Sequence, residues 1–261
     1  MTFQIEETTI SDIHAAYQSG ELTCAELVSR YLARIEAYDR NGPAYNSIIT
    51  VNPRAEEEAA ALDDAFAKKG LTGPLHGVPV VVKDQAETAG IMTTFGSIAA
   101  KGYIPEKDAT VVRKLREAGA LILAKTVLPD FATSWFGYCS MNGATKNPYD
   151  LARDPGGSSG GTGCAVAANL GAIGIGEDTG GSIRLPASFD NLVGLKVTPG
   201  LISRNGMSPL VVFQDSPGPM CRTVTDTAKM LQAMVGFDPE DAYTATAVIA
   251  GQTNYLECLD K

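Results

Sequence analysis

From Ile10 to Tyr38 the mixture of apolar and polar positions predicts two helices, punctuated by Gly20. Thr23 is followed three residues later by Glu26, the spacing of a capping box in which two free backbone amides are satisfied reciprocally. An alanine-rich stretch from Pro53 to Lys69 predicts a third helix, with proline and acidic residues at its start, lysines at its end and Gly70 as its stop. That order suits the helix dipole and the intrinsic preferences of these residues.

The next segment changes period. HGVPVVVKD is a short apolar run rich in β-branched residues, which predicts a buried strand that delivers Lys83 at its C-terminal end. A helix from Ala109 to Ala118, a strand from Leu121 to Ala124 and a helix after Thr126 continue the alternation. The fold class expected is therefore α/β, with a parallel or mixed central β-sheet covered by helices.

From Pro155 small residues and glycines replace the amphipathic pattern: PGGSSGGTG leads into CAVAANLGAIGIGEDTGGSIRLPASFDNLVGLKVTPG. Such a backbone allows close approach and unusual dihedrals. We expect a helix through Ala165 to Leu170, a strand from Ala172 to Gly176, a tight turn from Asp178 to Ser182 and a last helix from Val224 to Val235.

Composition narrows the class. With 44% hydrophobic and 20% charged residues the chain has a folded profile, and no linker or repeat divides it, so a single domain over residues 1–261 is expected. A net charge of −9 is the wrong sign for neutralising phosphates, which argues against a nucleic-acid partner. No basic start precedes an apolar stretch in MTFQIEETTI, and no window approaches the roughly 18 apolar residues of a membrane span. A soluble, cytoplasmic protein is expected. The 5 cysteines (Cys24, Cys139, Cys164, Cys221, Cys258) are scattered and never spaced as CxxC, so we expect reduced thiols and neither a disulfide framework nor a metal site. Cys139 and Cys164 are read as inert buried thiols, and His76 as a structural residue bonding a loop carbonyl.

GGSSG from Gly156 to Gly160 fits the nucleophile elbow G-x-S-x-G. The triad that goes with it needs a histidine after the serine, and the 2 histidines, His14 and His76, both precede it. No lysine follows the glycines as a GxxxxGK[ST] phosphate loop requires, and no Ser-x-x-Lys motif exists. Taken singly, a serine in a glycine-rich loop is a turn residue and a lysine at a strand end is a solvated one.

What remains resembles the amidase signature family. The resemblance runs from about Ile10 to Val235 and rests on GPLHGVPVVVKD, GATKNPYDLARDPGGSSGGTG, GEDTGGSIRLPASFDNLVGLKVTPGLISRNG and DSPGPMCRTVTD, in that order. It implies a mixed central sheet with helices on both faces and a serine–serine–lysine triad: Ser182 as nucleophile, Ser158 as bridging serine and Lys83 as base. It also implies a cis peptide bond between Gly157 and Ser158, a hydrogen-bonding role for Ser159 near the triad, and Asp178 and Arg184 as braces of the catalytic turn.

The chemistry is coherent without the resemblance. A serine hydroxyl needs a base during attack, and a lysine serves only when desolvation lowers its pKa from about 10.4. The apolar run from Val78 to Val82 supplies that setting. The turn Thr179-Gly180-Gly181-Ser182 can aim backbone N–H groups at a developing oxyanion.

The family's members are longer than this chain, so the resemblance implies its N-terminal, triad-bearing part. Val127 and Asp130 stand where the family carries asparagine and glutamate, changes expected at the pocket rim. The function expected is hydrolysis of a carboxylic amide, or an ester or carbamate, without cofactor. Its partners would be a small-molecule amide and, as an open option, a second copy in a homodimer. A glutaminase subunit of a tRNA-dependent amidotransferase and a non-catalytic fragment are the alternatives.

Overall fold

A computed structural model describes residues 3–251 and 253–259, and its first helices start where side chains can cap them. α1 (Ile10–Ser19) is capped by Thr9 and Asp12 and ends at Gly20, φ 73°, a left-handed conformation that glycine adopts without strain. α2 (Cys24–Arg34) carries the capping box expected: Glu26 N–H donates to Thr23 Oγ1 at 3.1 Å and Thr23 N–H to Glu26 Oε2 at 3.0 Å. The chain runs on through a wider π-helical segment, Ile35–Arg40. There the buried Asp39 accepts from Ser47 N–H at 2.6 Å and Ile48 N–H at 3.2 Å. That tie leads into β1 (Ile48–Val51), a strand the pattern did not signal.

α3 (Ala55–Lys69) begins two residues after the expected Pro53 and ends at Gly70. β2 (Pro79–Lys83), α4 (Thr110–Glu117) and β3 (Leu121–Thr126) follow the expected alternation. The helix expected after Thr126 does not form. Pro129 has an extended backbone, a single 3₁₀ turn spans Asp130–Ala132, and Phe131 and Ala132 take φ of 51° and 62°, a left-handed geometry that cannot propagate as a helix.

A small hairpin, β4 (Tyr138–Cys139) with β5 (Gly143–Ala144), leads to α5 (Gly160–Ala167), which starts earlier than the expected Ala165. Then come β6 (Ile173–Glu177), α6 (Arg184–Phe189), β7 (Val193–Gly194), β8 (Pro217–Cys221), α7 (Val224–Met234) and α8 (Ala245–Ala250).

Six strands form one mixed sheet in the order β1-β3-β2-β6-β8-β7. β2 lies parallel to both β3 and β6, while β1 and β8 join antiparallel. Every residue of β2, β3, β6 and β8 is buried. Successive side chains of a strand point to opposite faces, so both faces of the sheet are covered.

Small residues let α5 approach the sheet and the loops beside it. A Cβ on Gly174 would stand 2.5 Å from Thr162 Cγ2, and one on Gly161 would stand 2.3 Å from the backbone nitrogen of Val127. Both distances are below any real contact. The glycine texture of this segment is therefore a packing requirement as well as a conformational one. Among the described residues no helix is long and apolar enough to cross a membrane.

Candidate active site

Parallel pairing of β2 with β6, with Val82 opposite Ile175, brings the C-terminal ends of the two strands out together. Lys83 ends β2 and Glu177 ends β6, at the kind of sheet edge where open α/β folds carry their chemistry. Both side chains are buried, at 0% and 1% exposure. Lys83 Nζ has three neighbours: Ser158 Oγ at 2.7 Å, the Glu177 carbonyl oxygen at 3.1 Å and Glu177 Oε2 at 3.4 Å. Burial pushes the Lys83 amine below the ordinary lysine range, against the opposing pull of the Glu177 carboxyl.

Ser158 and Ser159 sit at the mouth of α5, and the peptide bond between Gly157 and Ser158 is cis. Ser159 is held between two strand-end groups. Its hydroxyl lies 3.2 Å from the Glu177 N–H and 3.3 Å from the Glu177 carbonyl, and its own N–H donates to the Ser182 carbonyl at 3.1 Å. The structure thus gathers Lys83, Ser158, Ser159 and the Ser182 backbone around the end of β6.

The turn after β6 is built on Asp178. Its carboxylate accepts from the backbone N–H groups of Gly181 (2.7 Å), Ile183 (3.0 Å) and Arg184 (3.3 Å), and from the Arg184 guanidinium at 3.1 and 3.2 Å. Burial alone would raise its pKa, but the Arg184 bonds and the three amides outweigh that and hold the carboxyl well below the usual carboxylate range. Lys196 adds an ion pair at 3.4 Å and bonds to the carbonyls of Asp178 and Thr179.

The four turn amides expected as oxyanion donors are not equivalent. The Gly181 N–H is turned onto Asp178 and is not free, whereas those of Thr179, Gly180 and Ser182 make no hydrogen bond among the described residues. Ser182 is 3% exposed, and its hydroxyl likewise makes no hydrogen bond among the described residues. It opens on a cavity of about 460 Å³, also lined by Thr179, Gly180, Trp135, Phe136 and Leu210.

Several features escaped the sequence. Glu177 is not singled out by the sequence reading, although an acid ending IGIGE beside a strand that ends in lysine is a visible signal. A second buried pair lies next to the first. Lys125 Nζ is 3.0 Å from Asp84 Oδ1, both side chains at 0% exposure, but its N–H groups go to the Ala86 carbonyl (2.7 Å) and Thr93 Oγ1 (2.8 Å). The contact with Asp84 is an ion pair.

His76 does not bond a loop carbonyl through its ring. Nδ1 lies 2.8 Å from Thr72 Oγ1, and it is the carbonyl of His76 that meets His14 Nε2, at 3.0 Å. Val127 is buried and pairs through its backbone with Ser47 and Gly161, away from the cavity rim. Asp130 acts on the rim at one remove: it accepts from Ser140 N–H at 2.8 Å and so pins the loop that carries Trp135 and Phe136. Cys139 and Cys164 are buried free thiols whose pKa burial raises, which makes them poor nucleophiles. Among the described residues no group of three or more His, Cys, Asp and Glu could hold a metal ion.

Comparison with known proteins shows the family to which the chain belongs. The glutamyl-tRNA(Gln) amidotransferase A subunit of Halorhodospira halophila is 42% identical over 257 residues, which is 98% of this chain and 52% of that protein. A probable amidase of Arabidopsis thaliana is 42% identical over 254 residues, 94% of this chain and 49% of the relative. Among solved structures, native peptide amidase from Stenotrophomonas maltophilia superposes with a TM-score of 0.92 at 44% identity, covering 96% of this chain and 52% of that one. The chain thus spans about half the length of the curated relatives it matches. The family model described as Amidase matches residues 26–256, and this chain belongs to the amidase family.

Proposed function

We propose that this chain carries the catalytic machinery of an amidase that forms an acyl-enzyme on Ser182. The observation that supports this reading most is the 2.7 Å contact between the buried Lys83 amine and the Ser158 hydroxyl. A neutral amine has two N–H bonds and one lone pair. The Glu177 carbonyl and Oε2 take the two N–H groups, which leaves the lone pair for the Ser158 proton.

In the proposed sequence the Ser182 hydroxyl turns toward Ser158 Oγ and attacks the amide carbonyl carbon. Its proton passes to Ser158 as the Ser158 proton passes to Lys83 Nζ. The N–H groups of Thr179, Gly180 and Ser182 face the developing oxyanion, a task in which one lost donor costs about 2.7–4 kcal/mol of barrier. Collapse of the tetrahedral intermediate breaks the C–N bond, and the leaving amine takes the proton back through Ser158. Water then attacks the acyl ester by the same route reversed. Asp178, fixed by Arg184, holds the turn in shape, and Ser159 ties it to β6.

A panel of amide, ester and carbamate substrates against the chain and its Ser182→Ala variant tests the reading: turnover that survives the substitution contradicts it. Likeness to amidotransferase A subunits supports a second reading, a glutaminase half-reaction that releases ammonia to a partner. Glutamine hydrolysis that appears only with a co-purifying partner would favour it over the first.

A further inference from the structure

The Thr179 hydroxyl lies between two buried carboxyl groups, 3.1 Å from Glu177 Oε1 and 2.5 Å from Asp215 Oδ1. A hydroxyl has one hydrogen, so it can donate to only one of them. Asp215 is the acceptor that the bond pattern favours for the Thr179 hydrogen: its two oxygens also accept the N–H groups of Leu210 (2.9 Å) and Val211 (3.0 and 3.1 Å). Two carboxylates sharing one hydroxyl would repel each other, and a proton on one relieves this.

We propose that Glu177 is held as a neutral carboxylic acid that donates its proton to Thr179 Oγ1, and that it positions the Lys83 amine by accepting one of its N–H bonds. The proton is thus placed by the bond pattern: Glu177 Oε1–H to Thr179, Thr179 O–H to Asp215, Lys83 N–H to Glu177 Oε2. Lys83 then has no countercharge in the resting site, and its lone pair stays directed at Ser158. The directions set by burial agree, since desolvation raises the Glu177 carboxyl and lowers the Lys83 amine.

The charged groups facing this carboxyl are few. Lys83 comes from β2 and Asp215 from the segment before β8. Asp178 follows on the same turn, neutralised by Arg184 and Lys196. Arg204 lies across a cavity of about 190 Å³ that Glu177 and Asp215 help to line, and is itself paired with Asp241. None of them supplies Glu177 with a cation other than Lys83.

The role given to Lys83 rests on the amidase reading; the proton on Glu177 does not. Difference infrared spectra of the full chain, wild type against Glu177→Gln at neutral pH, should show the carbonyl stretch of a protonated carboxyl lost in the variant. A carboxylate band lost in its place overturns the proposal. Glutamine can mimic the neutral acid, donating to Thr179 and accepting from Lys83. The acid limb of kcat/KM should therefore stay within about 0.3 pH units in Glu177→Gln, while a fall of about one unit would reveal a Lys83–Glu177 ion pair and overturn the proposal. Glu177→Ala should lose about tenfold or more in kcat, with Glu177→Gln recovering most of that loss. Should Glu177→Gln not fold, Thr179→Val replaces it: removing the acceptor must move the acid's carbonyl band, and an unmoved or absent band refutes the assignment. A chain without amide turnover would defeat the amidase reading and leave the infrared result readable.

Discussion

Lys83 Nζ lies 2.7 Å from Ser158 Oγ, with both side chains at 0% exposure. A lysine held there as ammonium would carry a desolvation penalty of several kcal/mol, and burial accordingly lowers its pKa. In the proposed mechanism this lysine works only when unprotonated, so activity would be lost as pH falls through the lowered value and regained as pH rises through it. We predict that kcat/KM climbs with pH and reaches its plateau below the ordinary lysine range. Lys83→Ala should depress kcat about a thousandfold or more across that profile.

In the proposed mechanism Ser158 transfers a proton, and it does not line the cavity that Ser182 opens on. Ser158→Ala should therefore lower kcat by about 10²–10⁴-fold, the usual worth of a positioned acid–base group, and leave KM nearly the same. Steady-state kinetics on one amide substrate decide this; a large rise in KM at constant kcat would assign Ser158 to binding.

The part of the fold visible in the sequence is the part whose local preference and tertiary role agree. Val80, Val81 and Val82 are β-branched, apolar and buried, so β2 and the lysine it delivers could be read directly. β8 reads PGPMC, a poor strand by local preference; it exists because β6 and β7 offer it pairing on both sides. Phe131 shows the reverse case, where residues able to form a helix are turned away by a left-handed backbone after Pro129. At the site, the strand end that carries Lys83 and the glycine-rich setting of the serines were legible because their motifs are long, while the roles given to them belong to the proposed function. Gly181 was expected among the oxyanion donors; no sequence pattern tells that the Asp178 carboxylate takes its N–H.

The Lys125–Asp84 pair offers a stability test away from the chemistry. Both groups are fully buried at 3.0 Å, and removing one leaves the other uncompensated. Asp84→Ala should destabilise the chain by about 3–5 kcal/mol, measured by urea unfolding. A loss below about 1 kcal/mol would mean that Lys125 has become neutral at little cost.

Asp190 predicts a pH dependence of stability. Its Oδ1 accepts from Asn147 at 2.9 Å, its Oδ2 is buried with no partner among the described residues, and burial together with nearby Asp154 raises its pKa from 3.8 to about 8. The folded state then binds more protons than the unfolded one between these values. This group's contribution is full below about pH 4 and is lost as pH rises toward 8, by at most about 1.4 kcal/mol per unit. Unfolding free energies at a series of pH values should show that slope in the wild type and lack it in Asp190→Asn. Equal slopes would place the Asp190 pKa in the ordinary range.

The decisive measurement needs no knowledge of the substrate. A fluorophosphonate that labels activated serines is reacted with the chain and with Lys83→Met at a series of pH values, and the modified peptide is mapped by mass spectrometry. The account predicts one adduct, on Ser182, forming faster as pH rises through the lowered Lys83 value and nearly absent from the variant. An adduct on another residue, or equal labelling rates in both proteins, would contradict it.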